Sequence, residues 1–217
     1  NTLVPAAACK RYANARIVAL STGCVYPLVL TGSGGATEAT APEPIGEYAS
    51  ACLARERLFE FHAAQNGTAT TLIRLNYAID LRYGVLHDIA QKIWRGESID
   101  LAMGHFNCIW QGDANERILR SLGLAATPPR QLNLTSPETH AVRAVAQRLA
   151  ELLEREVQFT GTEAETAWLS NPAAAVDILG VPETSLETML NWTAYWTKTE
   201  GRSHGKPTHF QVRDGKY

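Results

Sequence analysis

Two buried-strand patterns separated by a helix pattern place the strongest constraint on this fold. The segments "ARIVALST" (15–22) and "TATTLIRL" (68–75) are rich in β-branched and apolar residues, which is typical of strands covered on both faces. A helical pattern spans about 46–65 between them. Because strands that alternate with helices form crossover units, the sequence predicts an α/β fold with a parallel sheet.

The remainder of the chain alternates shorter elements. The pattern predicts helices near 85–95, 112–123 and 184–199, short strands at 98–102, 106–110 and 157–161, and a strand at 131–136 followed by a helix. The stripe of that last helix is Val142, Val145, Ala146, Leu149, Leu152 and Leu153, which is a core-facing spacing. The polar tail from 201 to 217 is expected to be loose.

Composition narrows the possible partners. The 217 residues are 45% hydrophobic and 19% charged, with a net charge of -2, which argues against nucleic acid or anionic membrane as the main partner. No apolar run approaches the roughly 20 residues of a membrane span. The four cysteines form no C-x-x-C pair, so we expect free thiols, no metal site and a cytoplasmic location.

Polar groups that could handle a proton lie at the end of the first strand and at the start of the next helix. Ser21 and Thr22 end the strand "IVALST", and Tyr48 follows 26 residues after Thr22. Open α/β sheets bind ligands at the carboxyl ends of their strands. A strand-end hydroxyl and a tyrosine can together hold one substrate oxygen, with the tyrosine donating or accepting a proton.

This arrangement resembles the extended short-chain dehydrogenase/reductase family, which includes NAD-dependent epimerases and dehydratases. The family pattern begins with a strand that ends in Ser/Thr and a Val-Tyr pair, here Thr22 and Val25-Tyr26. It continues with an acidic, proline-bearing loop and Tyr-x-x-x-Lys, here "TEATAPEP" and Tyr48. The segments "LIRLNYAID" (72–80), "CIWQGDANERIL" (108–119) and "QLNLTSPETH" (131–140) are similar to later parts of the family. The resemblance covers most of residues 1–160.

The resemblance implies an oxidoreductase, epimerase or dehydratase that uses NAD or NADP. Its substrate would be a small molecule such as a nucleotide-sugar, with Tyr48 as general acid/base and Thr22 polarising the substrate oxygen. Ser21 and Cys52 would lie at cofactor positions, and Asn76 near the substrate. Residues 1–80 would belong to the Rossmann-type domain, and residues 81–217 to a smaller substrate-binding subdomain with a returning strand and helix (131–153). A homodimer is one option for the assembly.

The sequence departs from the family pattern at two places that concern the cofactor. The N-terminal half with its glycine-rich turn is not among these residues, and the cluster "TGSGGATE" (31–38) is followed by prolines instead of a helix, so it does not match a phosphate-binding turn. Cys52 stands where the family has lysine. The chain by itself is therefore expected to be inactive and to bind no dinucleotide tightly.

Loss of the lysine leaves the function open between alternatives. A nearby cation lowers a tyrosine pKa by about one to three units, so its absence weakens acid/base chemistry. Arg55 lies seven residues after Tyr48, about 10 Å along a helix axis, and is expected to substitute only weakly. The protein is then an oxidoreductase-like enzyme or a non-catalytic nucleotide-binding member of the fold. A hydrolase or transferase using Cys52 or Ser21 would lack a recognisable histidine partner.

Overall fold

The structure is a computed structural model that describes residues 1–216. Its α-helices are α1 Leu3–Arg11, α2 Gly46–Asn66, α3 Val85–Trp94, α4 Gln111–Ser121, α5 Val142–Leu153, α6 Ala173–Leu179 and α7 Leu186–Lys198. Its strands are β1 Ile17–Thr22, β2 Val29–Leu30, β3 Thr70–Leu75, β4 Ala78–Ile79, β5 Ile99–Asp100, β6 His105–Phe106, β7 Ile109–Trp110, β8 Arg130–Leu134, β9 His140–Ala141, β10 Phe159–Thr160 and β11 Thr166–Ala167.

The main sheet is parallel and has the order β1-β3-β8. The two strand patterns that open the sequence argument pair with each other over six residues, from Ile17 opposite Thr70 to Thr22 opposite Leu75. The strand predicted at 131–136 returns as β8 and pairs with β3. The predicted α/β class with a parallel sheet is thus confirmed. One register row of this sheet, Ser21, Arg74 and Asn133, bears directly on the candidate site.

A second core lies outside the main sheet, where α3, α5 and α7 pack together. The apolar stripe predicted for the helix after β8 is buried there, with Val142, Ala146 and Leu149 fully enclosed. Short two-stranded pairings, among them β4 with β7 and β6 with β9, connect the helices to the main sheet. No helix within residues 1–216 has the length and apolar character needed to cross a membrane.

The prediction of a loose C-terminal tail is wrong for the residues that the structure describes. Thr208 donates from its backbone nitrogen and its hydroxyl to the Asp88 carboxylate on α3, at 2.7 and 2.6 Å. Phe210 is 4% exposed and joins the second core, and Arg213 donates to the backbone oxygen of Thr166 at 2.6 Å. The polar composition of the segment gave no sign of this docking, because only a few residues, among them Thr208, Phe210 and Arg213, hold an otherwise exposed segment.

Candidate active site

One cavity of about 500 Å³ lies at the carboxyl edge of the main sheet. The end of β1 contributes Ser21 and Thr22, the first turn of α2 contributes Tyr48, and the residue after β3 contributes Asn76. The remaining wall comes from the start of α3, from Trp168 and from residues 206–210. The tertiary structure therefore brings Thr22, Tyr48 and Asn76, the candidate catalytic and substrate positions, to one cavity in the place where open α/β sheets bind ligands.

Tyr48 is held between Thr22 and Cys52. Its side chain forms hydrogen bonds with both residues, and 44% of its surface is exposed. Partial burial, reinforced by Cys52 and Cys24, raises the pKa of Tyr48 to about 12, and the Thr22 hydrogen bond lowers it only in part. Solvent screens some of this effect. At neutral pH, Tyr48 is therefore a phenol that can donate a proton and accepts one poorly.

Cys52 occupies a closed position directly under Tyr48. The residue is 0% exposed, so burial raises the pKa of its thiol, while Arg55 acts in the opposite direction. The Arg55 guanidinium nitrogen Nη2 lies 3.2 Å from the Cys52 Sγ atom. Long side chains on a helix point back toward its N-terminus, which is how Arg55 brings a positive charge to the turn that carries the missing lysine. The groups that shift the pKa of Tyr48 do not include Arg55, so its role as a substitute for the lysine stays the weak one predicted from the sequence.

A buried ion pair lies beneath the cavity. Glu56 and Arg74 are 1% and 2% exposed, and their closest nitrogen and oxygen atoms are 2.7 Å apart. A second contact joins Arg74 Nε to Glu56 Oε1 at 3.0 Å. Burial on its own would lower the pKa of Arg74, but the hydrogen bonds and charge of Glu56 raise it. Such a pair is tolerated inside a protein only when its polar atoms find partners.

Those partners extend the ion pair into a network across the sheet. Ser21 donates its hydroxyl to Glu56 Oε1. Arg74 Nη1 donates to the Tyr26 hydroxyl, which donates to Asn133 Oδ1, both at 2.8 Å. The network thereby joins α2 to β1, β3 and β8. It commits the Ser21 hydroxyl to the scaffold, although Ser21 also borders the cavity.

Sequence reasoning missed Glu56 as part of this site. A signal was available, since Tyr48, Cys52 and Glu56 follow at intervals of four residues and therefore share one face of α2. Arg74 was visible within "LIRLNYAID" as part of the resemblance, but nothing local indicates its partner. The contact between Glu56 and Arg74 spans 18 residues and exists only after the helix has packed on the sheet.

Asn76 connects the cavity to the loops behind it. The residue is 2% exposed, and its amide nitrogen donates to Asn107 Oδ1 at 2.7 Å. Asn107 in turn donates to the backbone oxygen of Ser170 at 2.6 Å. A side chain on Gly23 would come within 3.1 Å of the Asn76 amide oxygen. The substrate role assigned to Asn76 stays a prediction, and its amide nitrogen is already engaged.

The glycine cluster 31–38 is not built as a seat for a dinucleotide pyrophosphate. The glycine cluster 31–38 packs instead on the segment around Ser170, where Gly35 has φ +92° and a Cβ would lie 2.7 Å from the Ser170 carbonyl carbon. Within the described chain, no helix starts directly after this cluster, since α2 begins only at Gly46. Pyrophosphate sites use the amides of a helix N-terminus. In residues 1–216, no group of three potential metal ligands is present either.

Comparison with solved structures identifies the fold. UDP-glucuronic acid 4-epimerase of Bacillus cereus in complex with NAD superimposes with a TM-score of 0.79 at 14% identity, over 91% of this chain and 67% of that one. UDP-glucose 4-epimerase of Thermus thermophilus in complex with NAD gives 0.73 at 19% identity, over 89% and 67%. dTDP-glucose 4,6-dehydratase of Bacillus anthracis in complex with NAD gives 0.77 at 15%, over 89% and 65%.

The fold is the one that these epimerases and dehydratases share. The chain spans about two thirds of their length. No protein-family model matches the sequence, and no curated protein sequence matches it. Identities below 20% establish a common architecture, whereas activity has to be argued from the side chains in the cavity.

Proposed function

We propose that this protein is an NAD(P)-dependent epimerase- or dehydratase-like oxidoreductase that acts on a nucleotide-sugar. The observation that carries the proposal is the convergence of Thr22 and Tyr48, joined by a hydrogen bond, in one cavity at the carboxyl edge of the parallel sheet. Similar folds are crystallised with NAD and with UDP-sugars. NAD would supply hydride acceptance and return.

The residues of this chain would handle the proton at the substrate oxygen. Thr22 would position that oxygen, and Tyr48 would act on it as general acid/base, accepting the proton of the substrate hydroxyl as hydride leaves and donating it back as hydride returns. The raised pKa of Tyr48 makes donation the easier of the two steps to begin at neutral pH, where the phenol is protonated. The buried pair of Glu56 and Arg74 would hold α2 against β1 and so maintain the distance between Tyr48 and Thr22. The glycine cluster 31–38 packs on the segment around Ser170, so the proposal gives it no part in dinucleotide binding.

A second candidate is a non-catalytic, nucleotide-binding member of the same fold. It is favoured by one specific observation, the closed thiol of Cys52 in the place of a cation next to Tyr48. In this case the cavity would still bind a sugar nucleotide, but Tyr48 would transfer no proton to or from it. The two candidates differ in turnover and not in binding.

The experiment compares turnover and binding in the full-length protein with NAD(P) and a panel of UDP- and dTDP-sugars. Tyr48→Phe is expected to lower kcat by roughly 100-fold or more, as for the loss of a general acid, with little change in substrate binding. Tyr195→Phe, on the exposed face of α7, is the matched control. Unchanged turnover in Tyr48→Phe contradicts the enzyme proposal at this site. Activity that occurs only in Cys52→Lys supports the non-catalytic alternative.

A further inference from the structure

The charge of the cavity wall is one-sided. Among the described residues that line it, none is an aspartate or glutamate, and Lys206 is the one with a permanent charge. The other polar side chains of the wall are hydroxyls, an amide, a thiol, an indole and the imidazole of His209. With no carboxylate lining the same described wall, the ammonium group of Lys206 makes this wall locally positive, which favours an anion.

Lys206 is available for such a contact. Its residue is exposed, and among the ion pairs found in residues 1–216 none involves it. Two carboxylates close to this segment have other partners. Asp88 accepts two hydrogen bonds from Thr208, and Asp80 is paired with Arg82 at 2.8 Å. Neither forms an ion pair with Lys206, although Asp88 keeps its negative charge behind the wall.

The backbone on both sides of Lys206 is anchored. Before it, the backbone nitrogen of His204 donates to the Arg82 oxygen at 3.1 Å, and the Ser203 hydroxyl lies 2.9 Å from His87 Nε2. After it, Thr208 is fixed to Asp88 and Phe210 is buried. Because these anchors lie within four residues on either side, the backbone that carries Lys206 is held at the cavity wall, and only the side chain has to be ordered when an anion binds.

We propose that Lys206 is a specificity-determining residue that binds an anionic oxygen group of the substrate. This inference rests on the proposed function, since it places the group in the cavity of Thr22 and Tyr48. The anion could be the diphosphate of a nucleotide-sugar or the carboxylate of a uronic acid, and both are oxygen anions that an ammonium group binds as a point charge. The C-terminal segment 201–216 then belongs to the binding site.

The test measures binding by isothermal titration calorimetry with the 217-residue chain. UDP provides the diphosphate without a uronic acid, and glucuronate provides the carboxylate without a phosphate. Lys206→Met removes the charge and keeps most of the stem, while Lys206→Arg keeps the charge. Lys216→Met is the matched control, because Lys216 lies on the same segment, is 85% exposed and is paired with Asp214 instead of lining the cavity.

A charge-assisted contact predicts a Kd roughly 10- to 100-fold weaker in Lys206→Met. Binding by Lys206→Arg should stay close to that of the original chain, and Lys216→Met should change the Kd by less than about twofold. A loss confined to UDP identifies the diphosphate, and a loss confined to glucuronate identifies the carboxylate. Equal losses in Lys206→Met and Lys216→Met, no loss in either, or no binding by the original chain would overturn the inference.

The outcome is separable from that of the proposed function. If Tyr48→Phe abolishes turnover while Lys206→Met binds both anions normally, the enzyme proposal stands and the role of Lys206 fails. If Lys206→Met loses anion binding while Tyr48→Phe leaves turnover unchanged, the cavity is an anion-binding site without the proposed chemistry. Circular dichroism melting curves of the variants check that the fold is retained, as expected for substitutions of exposed lysines.

Discussion

Removing both partners of the buried ion pair should destabilise the protein far less than the sum of the two single losses. In Glu56→Gln, the Arg74 guanidinium stays enclosed at 2% exposure without its compensating charge. Ser21 also loses the carboxylate that accepts its hydrogen bond. We expect Glu56→Gln and Arg74→Met each to lower the free energy of unfolding by about 3–5 kcal/mol, which is typical when a buried charge is left unpaired.

The double variant Glu56→Leu/Arg74→Met isolates the coupling between the two groups. Buried pairs replaced by apolar side chains of similar volume are often close to neutral, but here the hydroxyls of Ser21 and Tyr26 would still lose partners. The unsatisfied Ser21 hydroxyl costs about 1–3 kcal/mol, and the one hydrogen bond that Tyr26 loses, while it still donates to Asn133, costs about 1 kcal/mol. We therefore expect the double variant to lose about 2–4 kcal/mol, well below the roughly 6–10 kcal/mol sum of the single losses.

Urea unfolding followed by tryptophan fluorescence measures these differences. The control is Lys198→Met, which breaks an exposed pair with Glu154 whose side chains are 36% and 81% exposed, and should change stability by about 1 kcal/mol or less. Two results would refute the reasoning. One is a loss below about 1 kcal/mol in Glu56→Gln, and the other is additivity of the single effects in the double variant.

Three further predictions concern the cofactor, the tyrosine and one glycine. The 217-residue chain should show no micromolar NAD(H) affinity by fluorescence titration, because its glycine cluster 31–38 is packed on the segment around Ser170. Micromolar affinity would contradict this prediction. Absorbance at 295 nm, compared between the original chain and Tyr48→Phe, isolates the Tyr48 phenol, which should titrate near pH 12. The stability contributed by the neutral phenol is then lost as pH rises from 10 toward 12. Cys52→Lys with Arg55→Ala, which avoids two adjacent cations, should lower the pKa of Tyr48 by about one to three units, and a Tyr48 phenol that titrates near pH 10 in the original chain would count against the geometry. Gly35→Ala should lower the free energy of unfolding by about 1–3 kcal/mol, because Gly35 has a positive φ and the added Cβ would lie 2.7 Å from the Ser170 backbone. Urea unfolding measures the loss against Gly32→Ala, where the Cβ would enter open space and the effect should be nearly neutral. Equal effects in the two variants would contradict the close packing at Gly35.

Local patterns were sufficient for the frame of the candidate site. β-branched runs specified β1 and β3, a helical run specified α2, and the topological rule for open sheets placed Thr22 and Tyr48 at one edge. Each of these signals is short in range, since strand and helix periodicities are properties of neighbouring residues. The resemblance added the expected roles but offered no account of Cys52.

Tertiary packing decided what the frame can do. The turn of Ser21 toward Glu56, the pairing of Glu56 with Arg74 and the docking of the segment around Lys206 each join residues that are 18 to 120 positions apart. No local pattern encodes such contacts, because they depend on which buried charges and hydroxyls meet after the helices have packed. The sequence by itself determined where Tyr48 lies, and only the folded chain determined that its proton is tightly held and that a lysine from the C-terminal segment borders the same cavity.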